Sequence, residues 1–254
     1  MAARTTPGIT RIAGIFGWVA IALSVVVLLV FGTLRILDMA NPPPADRFAD
    51  RFGVRYAEHP WVALIHIIPG LLFIILAPLQ FIPRIRSRHL GFHRGLGRVL
   101  VVCAAISGVF ALVAAFRLPA FGGISTQAAT VFFGVIFLFA IAKGFLHIRR
   151  RQIRQHREWM IRVMALAMGV ATIRLFIALF TAAFDLGFEE VFGTSFWLGL
   201  GLNLLVAEVW INHTRVGLRL RQRVPADPAH PPRQRRQRGG AHGRRQARGA
   251  DRRK

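Results

Sequence analysis

Six apolar runs, each close to the length a helix needs to cross a bilayer, constrain this 254-residue chain more than any other feature. They cover residues 12–37, 61–82, 99–118, 126–146, 161–184 and 196–211. A helix rising 1.5 Å per residue needs ~17–25 residues to traverse about 30 Å of hydrocarbon, and the last run sits at the lower limit. Strands closing into a barrel would alternate polar and apolar residues, whereas these runs are apolar throughout. Composition agrees: 54% of the chain is hydrophobic and 18% charged, against about 25% charged in a soluble domain. The expected fold is an all-α membrane protein of about six transmembrane helices. The first run is too long for the ~7–15-residue core of a signal peptide and is read as a retained span.

Charge fixes the expected orientation. The formal net charge of +23 could suggest nucleic acid, but the arginines flank apolar runs instead of covering a soluble surface. The first loop holds Arg47, Arg51 and Arg55, diluted by Asp38, Asp46, Asp50 and Glu58. The second holds Arg84, Arg86, Arg88, Arg94 and Arg98, the third only Arg117, and the fourth Arg149, Arg150, Arg151, Arg154, Arg157 and Arg162. The fifth has Asp185, Glu189 and Glu190 and no base. Excess Lys and Arg marks the cytoplasmic side, so the even loops and both termini are expected inside a bacterial plasma membrane. Residues 1–11 then form a cytoplasmic N-terminus, 12–211 the membrane domain, and 212–254 a disordered basic cytoplasmic tail. From Arg215 onward, fourteen Lys or Arg stand against Asp227 and Asp251 with no apolar pattern. Such a tail is expected to contact anionic lipid headgroups at the cytoplasmic face. It lacks the interleaved aromatics that stack on bases, so nucleic acid is not expected as a partner.

Two basic segments resemble each other. Phe81–Arg94 links the second and third spans, Phe145–Arg157 links the fourth and fifth, and each runs from Phe to a His-Arg pair. This predicts a four-helix core made of two repeated hairpins, a kind of internal repeat that membrane proteins use. Small residues at four-residue spacing, Ala104 and Gly108, Ala111 and Ala115, Ala165 and Gly169, are expected to let helices approach closely. The lone Cys103 is read as a packing residue.

Several motifs then carry a resemblance. His66-x-x-Pro69-Gly70, Ala77-Pro78-Leu79-Gln80-Phe81, His93-Arg94-Gly95-Leu96-Gly97-Arg98, and His156-Arg157-Glu158-Trp159-Met160-Ile161-Arg162 with Thr172-Ile173-Arg174-Leu175 resemble the bacterial domain-of-unknown-function family 2306. That family comprises predicted multi-pass membrane proteins, and the likeness spans about residues 59–184. Ala77 stands where the family pattern would have Gly. The resemblance implies architecture and brings no activity.

Ionisable residues within spans are the candidate functional groups. His66 lies in the outer half of the second span, and Arg174 is about 15 Å below the outer end of the fifth. Asn203 is at a matching depth on the sixth. A guanidinium has five donors, so one pocket lined by His66, Arg174 and Asn203 is expected, with Arg174 anchoring an acceptor group of a small ligand or lipid. Gln80, Arg94, Arg98, Arg157 and Arg162, from the motifs at the cytoplasmic edge, are further candidate contacts. The competing reading is a b-type cytochrome-like haem or quinone redox protein. There His93 and His156, one from each repeat and matched in depth, would be the axial ligands of haem b. No Walker loop, Gly-x-Ser-x-Gly elbow, His-Glu-x-x-His motif or pair of intramembrane carboxylates supports hydrolytic or ATP-driven chemistry.

Overall fold

A computed structural model of the chain describes residues 7–41, 56–118 and 121–223. Arg47, Arg51 and Arg55 of the first loop, and the tail beyond Arg223, lie outside the described residues. Among those described, all regular structure is helical: α1 (Pro7–Ala40), α2 (Pro60–Phe81), α3 (Pro83–Arg88), α4 (Leu90–Arg117), α5 (Gly123–Arg149), α6 (Ile153–Phe184) and α7 (Phe188–Arg223). Six of these, all but the short α3, are long and apolar enough to span a membrane.

The helices outrun the apolar runs, because hydrocarbon limits only where charges can sit and not where the backbone stays helical. Thus α4 begins at Leu90 and α6 at Ile153, each absorbing part of a basic loop. Likewise α7 continues to Arg223, past Ile211 where the apolar run ends. Contacts divide the chain into the unit Met1–Val216, which contains everything described below, and Gly217–Lys254.

The expected four-helix core is present. α2 pairs with α4, and α5 with α6; α4 against α5 and α2 against α6 close the ring. α1 packs outside on α2 and α6. Each hairpin turns at the same end of the bundle, here named the turn end, with the opposite end the far end. The two turns are built differently. The first contains α3 between single-residue breaks at Ile82 and His89. The second is the three residues Arg150–Gln152, with Arg151 at φ 58°. The repeat is kept where the helices restart: His93 and His156 each stand three residues into their helix. Their backbone N–H groups donate to His89 and Gln152 carbonyls, both at 3.0 Å.

Packing is inverted relative to a water-soluble bundle in the way hydrocarbon solvent allows. On α4 the large residues Val99, Val102, Ile106 and Val109 point outward, while Leu100, Ala104, Ser107 and Gly108 are buried. α5 repeats the pattern, with Phe132, Val135 and Phe139 outside and Ala129, Phe133 and Ala140 within. Lipid tails are as apolar as leucine, so close van der Waals contact between small residues, and not hydrophobic burial, holds such helices together. Two core clusters result. One centres on Phe133, Ile173, Phe192 and Leu200 towards the far end. The other centres on Ile74, Leu100, Ala140 and Met164 towards the turn end.

A close backbone approach joins α6 and α7. A Cβ on Gly199 would stand 2.8 Å from the backbone nitrogen of Ile173, which cannot yield as a side chain does. Gly199→Ala is therefore expected to destabilise the folded protein by about 1–3 kcal/mol. Gly17→Ala, with nothing within 4 Å of the new methyl, should be neutral or mildly stabilising through helix propensity. Thermal unfolding in detergent compares the two, and equal melting temperatures would refute this account of the α6–α7 contact.

Candidate functional site

A cavity of about 340 Å³ lies where the two core clusters meet, within the ~300–1,000 Å³ typical of small-molecule sites. Phe133, Ile173 and Leu200 from one cluster and Phe73, Ile74 and Ala104 from the other contribute to its wall. α4 turns Ala111, Ala114 and Ala115 towards it. Ala111 and Ala115, expected from their spacing to serve helix contact, here leave space.

The polar groups of the wall come from several helices. His66, on α2, is about 9 Å from the far end of its helix, and Arg174, on α6, about 15 Å from that of its own. Both line the cavity. His66 is held by a reciprocal pair with Ser107 of α4. The imidazole Nδ1–H donates to the Ser107 carbonyl at 2.8 Å, and the Ser107 hydroxyl donates to the His66 carbonyl at 2.9 Å. With Nδ1 committed as donor, the neutral ring keeps Nε2 as its acceptor. The chain folds this way locally because Pro69 has no N–H to offer the Ile65 carbonyl and so loosens the helix here. Gly70 completes the fit, since its missing Cβ would stand 2.9 Å from the Ser107 hydroxyl.

Arg174 lies against the ring of Phe31 from α1, with its guanidinium carbon 5.0 Å from the centroid. Arg35 of α1 and Tyr56 are within electrostatic reach of it. Arg35 itself is 5.5 Å from the Tyr56 centroid and paired with Asp38 at 3.0 Å. Arg35, Tyr56, Ser107, Thr126, Gln127 and Thr130 all line the cavity, and sequence reasoning singled out none of them. Arg35 falls inside the first apolar run, where an arginine three residues before Asp38 could have been noticed. Ser107 was legible as an isolated hydroxyl beside Gly108. Gln127 is spent on the Ala115 carbonyl at 2.8 Å.

Asn203 does not join His66 and Arg174. Its amide donates to Thr172 Oγ1 at 2.7 Å and to the Gly199 carbonyl at 2.8 Å, so it ties α7 to α6 away from the cavity wall. Depth along the span matched; the direction in which the side chain leaves its helix did not.

At the turn end the candidates separate. Arg94, Arg98 and Arg157 are exposed. Arg162 is instead a structural residue: it grips Glu208 of α7 through Nε and through Nη2, the latter at 2.9 Å, and lies 4.6 Å from the Trp159 centroid. A second bidentate pair joins Arg215 to the buried Glu158, with Nε to Oε1 at 2.7 Å. Arg154 is 3.7 Å from the same carboxylate. His93 and His156 lie within electrostatic reach of each other. His156 donates from Nδ1 to the Gly144 carbonyl at 2.8 Å, while His93 Nδ1 and Gln80 Nε2 are buried without a hydrogen-bond partner. Neither histidine, nor Gln80, borders the cavity. Among the described residues no group of three or more His, Cys, Asp or Glu could hold a metal ion.

A family model described as "Predicted membrane protein (DUF2306)" matches residues 63–211. The match carries the resemblance beyond Phe184 to include the last span. No curated protein and no solved structure matches the chain.

The pair between Glu158 and Arg215 is asymmetric, with side-chain exposures of 9% and 35%. Losing Arg215 removes both hydrogen bonds from a buried carboxylate and leaves it only the 3.7 Å contact with Arg154, whereas neutralising the carboxylate leaves an arginine that water can reach. Arg215→Ala should therefore lower the melting temperature more than Glu158→Gln. The reverse order in a detergent melt would show that the pair does not work this way.

Proposed function

Because the chain belongs to the DUF2306 family of predicted membrane proteins, whose description assigns no chemistry, we propose its function from the cavity itself: it binds a small hydrophobic ligand with a polar head inside the helix bundle. One observation carries this reading. His66 and Arg174, from different helices, line a single cavity of about 340 Å³ whose remaining wall is mainly apolar. Intramembrane ionisable residues mark substrate and ligand sites. Arg174 offers donors to an acceptor on the ligand, and His66 Nε2 offers an acceptor to a hydroxyl. The apolar wall takes the rest of the molecule.

The arginine-rich turns support a bacterial plasma-membrane location with both termini in the cytoplasm. The cavity then lies in the outer half of the bilayer, and Arg94, Arg98 and Arg157 form a separate surface for anionic headgroups on the inner face. A periplasm-active reporter inserted near Asn41 should be active and the same reporter fused after Arg215 silent; the opposite result would invert this orientation.

Native mass spectrometry of the purified full-length protein tests the binding reading. The wild type should carry a co-purifying small hydrophobic molecule, and Ala111→Phe, which fills the cavity, should lose it while remaining folded. Equal occupancy in both would remove the cavity from the function. The visible spectrum of the same sample decides the alternative: a Soret band that shifts on reduction and disappears in His93→Ala would make the turn-end histidines the functional pair.

A further inference from the structure

Four neutral polar side chains in the cavity wall have each given a proton to a backbone carbonyl. Gln127 Nε2 donates to Ala115 at 2.8 Å, and Thr130 Oγ1 to Thr126 at 2.8 Å. Ser107 Oγ donates to His66 at 2.9 Å, and His66 Nδ1 to Ser107 at 2.8 Å. What remains on them is chiefly accepting capacity: the imidazole Nε2, the Gln127 amide oxygen and the hydroxyl lone pairs. The guanidiniums of the wall are already engaged, Arg35 with Asp38 at 3.0 Å and Arg174 against the Phe31 ring. The Thr126 hydroxyl is packed against Gly122, where a Cβ would stand 2.7 Å from it.

The wall is also sorted along the bundle axis. His66, Thr126, Gln127 and Thr130 stand within about 11 Å of the far ends of their helices, and Ser107 and Arg174 at about 15 Å. From about 18 Å inwards the lining is hydrocarbon, including Phe73, Ile74, Ala104, Phe137 and Leu166. At the far end Phe121 and Phe192 border the cavity, 8% and 1% exposed, with ring centroids 5.0 Å apart. These rings lie where a bulky headgroup would project, so the head that fits is small.

We infer that the ligand is a long-chain neutral alcohol, whose hydroxyl proton goes to His66 Nε2 and whose chain runs towards the turn end. This deepens the reading of the cavity as a ligand site and rests on it. A hydroxyl gives a proton to an acceptor and keeps lone pairs for donors. A carboxylate, carbonyl or ether oxygen brings no proton, so it meets Nε2 lone pair to lone pair and leaves that acceptor unsatisfied. An ammonium carries protons, but its charge must be desolvated at this depth. The order of polar and apolar lining sets the orientation, hydroxyl outermost and chain innermost.

Hexadecanol, its methyl ether, palmitate and hexadecylamine share one chain and differ in the head. Equilibrium affinities are measured in detergent at fixed pH and ionic strength for the full-length wild type, His66→Phe and Ala111→Phe. The wild type should bind hexadecanol at least about fivefold more tightly than each of the others, the size of one neutral hydrogen bond. In His66→Phe the alcohol and the ether should bind within about twofold of each other, and in Ala111→Phe alcohol binding should be lost. Hexadecanol with a diazirine on its terminal carbon should crosslink near Phe137 or Leu166 in the wild type. The ether, palmitate or the amine matching the alcohol, with all binding lost in Ala111→Phe, would overturn the hydroxyl head and leave the cavity reading standing. Crosslinks beside Phe121 would overturn the orientation. No probe binding the wild type, or alcohol binding that survives in Ala111→Phe, would overturn the cavity reading and this inference with it. The head comparison and the crosslink in the wild type need no variant, so a misfolded His66→Phe would not rescue the assignment.

Discussion

Hydrocarbon accepts no hydrogen bonds, and each polar group the chain takes into the membrane must be satisfied by the protein. The reciprocal contact between His66 and Ser107 meets that demand at the centre of the α2–α4 pair. It satisfies an imidazole nitrogen, a hydroxyl and two backbone carbonyls at once. It also needs α4 close to α2, which Gly70 permits, and it makes use of a helix that Pro69 has loosened. With α2 and α4 in this register, Ala111, Ala114 and Ala115 of α4 line the cavity and occupy little of it. Their small side chains contribute to its volume.

The spans were legible because a bilayer imposes a length and a polarity that few other environments impose. The hairpin repeat was legible because the His-Arg pairs recur at one position relative to the helix starts, and the structure keeps that register at His93 and His156. His66 and Arg174 were paired by depth alone, and both line the cavity. Depth did not bring Asn203 to that wall, because sequence gives the distance along a helix far better than the direction in which a side chain leaves it. Arg162 was misjudged for a related reason. Within a run of arginines, sequence does not say which one faces a carboxylate some forty-six positions away. Arg35 escaped notice because a charge near the end of an apolar run looks like a flank until α1 is seen lying against α6.

Arginines at the turn end divide their work. Arg94, Arg98 and Arg157 remain exposed. Arg162 and Arg215 hold α7 to α6 through Glu208 and Glu158. α6 and α7 are thus joined by ion pairs near the turn end, by the Asn203 amide in the middle and by the Gly199 crossing towards the far end.

The opposite side of the cavity is α1, and only 6% of its apolar stretch is buried, against 22–39% in the other five spans. A wall that is itself mostly bathed in lipid has the bilayer, not water, as its reservoir. An amphiphile reaching the cavity past α1 would already be dissolved at the high local concentration of a membrane solute, with its tail desolvated beforehand. Occupancy would then follow the mole fraction of that solute among the lipids, so a contact of modest intrinsic strength could keep the site filled. The protein would report on membrane composition more directly than on anything in the aqueous phase.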